Sequence, residues 1–191
     1  MKRYTKIFLL ISSVSLFQSC QGLLEEDFRS GNSTEDFYGS ADGLEALVVG
    51  AYVSSKIWYG KEEGYDFSDV GTDMYTYAQQ HPNPEQFTFS PSFNANSGRL
   101  IVLYVEFYKG VNACNEALFY LEQENHPLDA NIRLRRQAEV KFLRAFYMWH
   151  LVETFGPVPL PLEHTRSPIV TASRTPVNEV YDQIFTDINF T

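Results

Sequence analysis

Cysteine is scarce: Cys20 and Cys114 are the two in 191 residues. A disulfide framework is therefore not what holds a chain of this size together. The four histidines, His81, His126, His150 and His164, are scattered with no ligand spacing, which leaves no zinc motif. A Gly-rich phosphate loop, a nucleophile elbow and a His-Glu-x-x-His helix are all missing, and with them the usual nucleotide, hydrolase and metalloprotease chemistries. Basic residues are in deficit, 15 against 24 acidic for a net charge of −9. Nucleic acid is thus excluded as a partner, since it demands a positive field. Period-2 alternation is short, as at Gln86–Ser90. No catalytic residue, cofactor or metal is expected. Asp66, Asp69 and Asp73 could offer hard oxygen ligands to calcium, but the EF-hand's terminal Glu is missing and a solvated acidic loop is the favoured reading. The carboxylate pair of a glycosidase has no context here either.

Long apolar runs are lacking too. The N-terminal one, Ile7–Phe17, has eleven residues, whereas a spanning helix needs about 20. Preceded by Lys2, Arg3 and Lys6 and followed by Ser19-Cys20, it reads as a secretory signal, residues 1–19, with Cys20 placed for lipidation. The alternative is an ordinary cleaved signal with a cysteine nearby. Once Cys20 is acylated, Cys114 has no partner and reads as a buried small hydrophobe; a Cys20–Cys114 disulfide is the competing possibility. Without residues 1–19, the balance is 12 basic against 24 acidic residues. Residues 20–32, with Glu25-Glu26-Asp27, form an acidic tether, and 33–191 form the folded part.

What the chain does contain is helix signal. Ser33-Thr34-Glu35-Asp36 offers a cap to a short turn through Phe37-Tyr38. Ser40 then precedes Leu44, Leu47, Val48, Ala51 and Tyr52, spaced as one face of an amphipathic helix. A helix around Leu100–Glu124 carries Tyr104, Phe107, Tyr108, Val111, Cys114, Leu118 and Leu121 on one side. Asp129 caps the next. Its stretch Phe142–Val152 is apolar almost all round, which predicts a helix buried in a helical array. Phe142, Phe146, Met148 and Trp149 read as core, and Glu139, Arg144 and His150 as structural hydrogen-bonding groups at a helix seam. Gly156 suits the left-handed position past the helix end, and Pro157, Pro159 and Pro161 hold the following stretch extended. Thr175 as N-cap, Pro176 at the first position and Glu179 in the first turn open a last helix, with Val177, Val180, Tyr181, Ile184 and Ile188 on its apolar face. The chain stops at Thr191 with no cap signal, which predicts a break inside or near a helix end.

Residues 56–98 differ. They combine Gly60, Gly64, Gly71 and three prolines with Trp58, Tyr59, Tyr65, Phe67, Tyr75, Tyr77, Phe87, Phe89 and Phe93. The composition predicts a long irregular insertion, and loops of such length tend to be functional.

The block Ala-Glu-Val-Lys-Phe-Leu-Arg-Ala…Phe-Gly-Pro-Val-Pro-Leu-Pro over 138–161 resembles the hallmark helix of the SusD/RagB family. Tyr108-x-x-Val111-x-x-x-Asn115 resembles that family's second hallmark, and Thr34–Tyr52 is similar to its opening segment. Ala138-x-x-x-Phe142-x-x-Ala145 also matches half a tetratricopeptide repeat. The resemblance implies an all-α, tetratricopeptide-like helical array of which this chain is an N-terminal part, truncated at the C-terminus. It implies a surface lipoprotein of the Gram-negative outer membrane, held by its lipid alone, with the acidic tether directing export. Such a protein captures oligosaccharides, or in some relatives peptides, and delivers them to a SusC-like TonB-dependent transporter. Sugar rings stack on aromatics while Asp, Asn and Gln bond their hydroxyls. The ligand-binding candidates are accordingly Trp58, Tyr59, Tyr65, Asp73, Tyr75, Tyr77 and Gln79. The alternative is a helical-repeat scaffold lipoprotein that binds protein or peptide; a carbohydrate-active enzyme is the third reading.

Overall fold

The computed structural model describes residues 33–70, 72–75, 90, 93–124, 127–168 and 170–190. Cys20, Tyr77 and Gln79 therefore lie outside the described residues. So do the signal, the acidic tether and Gln86–Phe89. Residues 33–36 belong to a unit separate from 37–191. The Ser33 Oγ there accepts the Asp36 N–H at 3.1 Å and starts the short helix α1, Thr34–Tyr38.

Helix α2, Ala41–Ala51, begins where Ser40 Oγ accepts the Gly43 N–H at 3.1 Å. It buries Leu44, Leu47, Val48 and Ala51, the face its spacing defines. After a 3₁₀ turn at Val53–Ser55, two short helices follow, α3 at Lys56–Tyr59 and α4 at Glu62–Ser68. The first part of the expected irregular insertion is thus helical. Its glycines hid this, yet Gly64 is required: a Cβ there would lie 1.9 Å from the Trp58 carbonyl oxygen. Glycine marks close backbone approach here, not loop.

The central pair is α5, Gly98–Leu121, and α6, Ala130–Phe155. They run antiparallel, Gly110 meeting Tyr147 and Leu121 meeting Gln137. A Cβ on Gly110 would come within 2.6 Å of the Tyr147 ring, so the pair touches over a bare backbone. Tyr147 donates onward to the Ala51 carbonyl at 2.6 Å, pinning α2 onto the pair. Phe107, Val111, Cys114, Leu118 and Leu121 from α5 meet Val140, Leu143, Met148 and Leu151 from α6 in one core. Each such side chain contributes about 1.5–3 kcal/mol by leaving water. Cys114 is a core residue, its thiol pushed up to about 12 by burial, and is inert as a nucleophile at neutral pH.

Helix α6 opens on Asp129, whose Oδ1 accepts the Asn131 N–H at 2.9 Å. It closes on Gly156 at φ 70°, ψ −135°. The positive φ is as expected, but the ψ lies outside the left-handed helical region, so the chain leaves the helix extended. Val158 then forms an isolated antiparallel bridge with Thr175, N–H to O at 2.9 Å. That bridge occupies Thr175, and the last helix, α7 at Val177–Ile188, has Pro176 in the cap position with no side-chain cap. The expected Thr175 cap is corrected by one residue. Val180 and Ile184 of α7 are buried, whereas Ile188 is exposed.

One further expectation fails. Phe142–Val152 is not buried all round: Phe142 is 59% and Trp149 44% exposed. Helices α2, α5 and α7 cover three sides of α6, and the two exposed rings share the remaining stripe, seven residues apart.

Candidate functional site

The residues that carry the two hallmark patterns turn out to build a seam. Tyr108 donates to the Pro159 carbonyl at 2.6 Å. One turn on, Asn112 clasps Thr165 in both directions, Nδ2 to O at 3.0 Å and N–H to Oδ1 at 2.8 Å. Asn115 Nδ2 reaches the carbonyls of Pro161 and Glu163 at 3.0 and 3.2 Å. A proline-rich segment cannot pair its backbone in a helix, so α5 supplies amide and hydroxyl partners at 3.6-residue intervals instead. Tyr108 is held well above the usual phenol range, chiefly by burial, which keeps it a donor. The seam is completed by Arg144, which bonds Asn115 Oδ1 at 2.9 Å and Asp187 through two contacts at 2.6 and 2.7 Å. Glu139 acts similarly between α6 and α2. It accepts from Tyr52 at 2.7 Å and from Arg136, which also holds Glu45. The Tyr52 hydroxyl rises to about 12 through its Glu139 hydrogen bond. The seam reading of Arg144 and Glu139 agrees with these contacts. His150 differs: its Nε2 has no hydrogen-bond partner among the described residues.

The insertion supplies the exposed aromatic surface. Tyr59 closes α3 with 76% of its area exposed, its ring stacked at 5.9 Å and 20° on Phe146. Tyr65 is half exposed on α4. Between them lies an open groove of about 670 Å³ lined by Tyr59, Gly60, Lys61, Glu62, Glu63 and Tyr65. It offers two phenol rings, one ammonium and two carboxylates, the mixture of apolar face and polar rim that holds a polyhydroxylated ring. Trp58 points the other way. Half-buried, its ring lies 4.3 Å from His150 and 6.3 Å from Phe107. Asp73 and Tyr75 are exposed but are not among the residues lining the groove.

The aspartates do not gather into an ion site. Asp66 is buried and paired with Arg99 at 3.1 Å, and among the described residues no group of three His, Cys, Asp or Glu could hold a metal. Lys61, Glu62 and Glu63 went unnoticed in the sequence as groove residues. The signal available was their position between two candidate tyrosines. A second cleft of about 490 Å³ lies between the start of α5 and the end of α6, lined by Tyr104, Phe155, Pro157, Pro159 and Arg174 among others. Its aromatic pair, Tyr104 and Phe155, meets edge to face at 5.2 Å.

Comparison with known proteins agrees with this architecture. Residues 30–191 match the SusD-like family described as starch-binding and associating with the outer membrane. The chain belongs to that family. It is 27% identical over 203 residues to SusD-like protein P25 of Formosa agariphila, covering 96% of this chain and 36% of the relative. It is 28% identical over 138 residues to the starch-binding protein SusD of Bacteroides thetaiotaomicron, covering 63% of this chain and 24% of that one. A crystal structure of a SusD superfamily protein from Parabacteroides distasonis superposes with TM-score 0.64 at 29% identity, over 76% of this chain and 32% of that one. A second, from Bacteroides vulgatus, has the same TM-score at 18% identity over 79% and 34%, a likeness of fold. The chain spans 24–36% of the length of these relatives. The all-α fold is as the resemblance implied, and the family description is one of binding at the outer membrane. Among the described residues no helix is long and apolar enough to cross a membrane.

Proposed function

We propose that this chain belongs to a glycan-capturing surface lipoprotein, not an enzyme, that passes oligosaccharides to a SusC-like TonB-dependent transporter. The observation that carries the reading is the family match over residues 30–191. The groove between Tyr59 and Tyr65 supports it from the physical side, because both rings are accessible. Stacking on Phe146 already restrains the Tyr59 ring, which reduces the conformational entropy lost there when a sugar lands on it. Trp58, Asp73 and Tyr75, none of which lines that groove, and Tyr77 and Gln79, outside the described residues, remain ligand-binding candidates.

The test is a glycan array on the whole protein, followed by titration of maltoheptaose against the tyrosine variants. Tyr59→Ala and Tyr65→Ala are each expected to cost about 1–3 kcal/mol of binding, by analogy with base stacking on aromatics. The melting temperature should move little, since exposed positions rarely contribute more than about 0.5 kcal/mol. Trp58→Ala makes the contrast, because its contacts with His150 and Phe107 tie any change in affinity to a loss of stability. Unchanged affinity in both tyrosine variants would remove the groove from the ligand site. A silent array together with capture of peptides would move the assignment to the scaffold alternative.

The anchor is proposed to be a lipid on Cys20, with residues 1–19 removed. Cys20→Ala should abolish incorporation of radiolabelled palmitate and shift the protein from the membrane to the soluble fraction. Continued labelling would show that the anchor lies elsewhere.

A further inference from the structure

A cation links the start of α5 to α4. Arg99, second residue of α5, reaches across to α4 with Nη2 2.9 Å from Glu62 Oε2. Its Nη1 lies 3.1 Å from Asp66 Oδ2 and 3.8 Å from Glu63 Oε1. The Arg99 side chain is 13% exposed and that of Asp66 fully buried. One guanidinium therefore faces three carboxylates drawn from five consecutive residues. Those carboxylates repel one another at the start of α4, and the cation between them turns that repulsion into attachment.

Helix α4 has special need of attachment. Seven residues are too few for a helix to persist unaided, because nucleation costs more than so short a run returns. Two contacts among the described residues bear on its position. Gly64 lets its backbone rest against the Trp58 carbonyl, and Arg99 ties Glu62, Glu63 and Asp66 to α5. Tyr65 lies within the tied residues, and Tyr59, at the end of α3, lies three positions before the first of them. The distance between the two rings of the groove is set by where α4 sits.

We propose that Arg99 is the positioning residue of the Tyr59–Tyr65 groove, holding α4 at the spacing that presents both rings to one ligand; this rests on the glycan-binding reading of that groove. Arginine suits the task because its planar fork offers donors in several fixed directions, whereas a lysine ammonium is a single point charge. Lysine at this position keeps the charge and loses the fork.

The experiment uses the whole protein with Arg99→Met and Arg99→Lys. It reads hydrogen exchange of the Glu62–Ser68 amides, the melting temperature and affinity for maltoheptaose. In Arg99→Met, exchange across α4 should rise about tenfold or more while α5 and α6 core amides keep their protection, as local opening allows. Maltoheptaose binding should weaken about tenfold in the same variant, and Arg99→Lys should fall between it and the parent in both readouts. Tyr59→Ala and Tyr65→Ala should weaken binding with α4 exchange unchanged, which separates the groove from its support. Should those two weaken binding while Arg99→Met alters neither exchange nor affinity, the positioning role is overturned and the groove stands. Should Arg99→Met speed exchange equally in α4, α5 and α6, Arg99 is a general fold residue and the role is again overturned. Parental affinity in both tyrosine variants would instead sink the groove reading, leaving α4 exchange to report whether Arg99 holds the helix.

Discussion

Replacing Arg144 with methionine, or Asp187 with leucine, is expected to lower the unfolding free energy by about 3–5 kcal/mol, the usual effect of removing one partner from a buried ion pair. The two side chains are 8% and 2% exposed and meet through two hydrogen bonds of 2.6 and 2.7 Å. A third bond from the same guanidinium goes to Asn115, whose amide in turn holds the Pro161 and Glu163 carbonyls. Gln183 adds a third contact on Asp187 at 3.0 Å. Losing Arg144 leaves a buried carboxylate without its cation, and it frees Asn115 from the orientation that grips the proline-rich segment. Losing Asp187 leaves a buried guanidinium and detaches α7. The double variant Arg144→Met with Asp187→Leu should recover most of the loss, because no uncompensated charge remains. Urea unfolding of the four proteins measures this as a coupling energy. Additive losses, or single-variant losses below about 1 kcal/mol, the surface-pair range, would mean that the pair is effectively solvated.

This network also explains why part of the fold was legible in the sequence and part was not. Local pattern sufficed wherever a helix buried one face and capped itself: Ser40 and Asp129 start α2 and α6 as their side chains dictate. Arg144 could be read as a seam residue because a charge inside an apolar run needs a partner. That the partner is Asp187, 43 residues later, has no local signature. The failures share that cause. Phe142 and Trp149 read as core because hydrophobicity around a helix reports how much surface wants cover, not what covers it in this chain. Gly64 reads as loop because a glycine demanded by the Trp58 carbonyl looks the same in sequence as one demanded by a turn. Thr175 lost its cap role to the Val158 bridge, a tertiary contact. At the groove, Tyr59 and Tyr65 stood out as aromatics among glycines and acids. Arg99 did not, since its meaning lies in three carboxylates 33 to 37 positions away in the chain.

Stability should fall as pH drops from about 6.5 to about 4, and His150 should account for about 3 kcal/mol of that fall. His150 is 4% exposed within a cage of rings: Phe107 stacks on it at 5.0 Å and 7°, with Trp58, Phe146 and Trp149 at 4.3, 4.5 and 4.7 Å. Burial lowers its pKa from 6.5 to about 4, since nothing in that cage solvates an imidazolium. Between these two values the unfolded chain binds a proton that the folded one does not. Unfolding therefore becomes easier as pH decreases through the window, and the contribution is fully present above pH 6.5. Two and a half pKa units correspond to about 3 kcal/mol. Ring faces attract cations, but a buried imidazolium forfeits more hydration than cation–π contacts of about 2 kcal/mol return. His150→Phe removes the titration while keeping a ring of similar shape in the cage. Its unfolding free energy should be flatter than the parent's between pH 6.5 and 4, with the two curves converging in slope above pH 7. Carboxylates that titrate below pH 5 are common to both proteins and cancel in the difference. Parallel curves across the whole range would show that His150 is protonated or hydrated in the folded protein, and would remove it from the core.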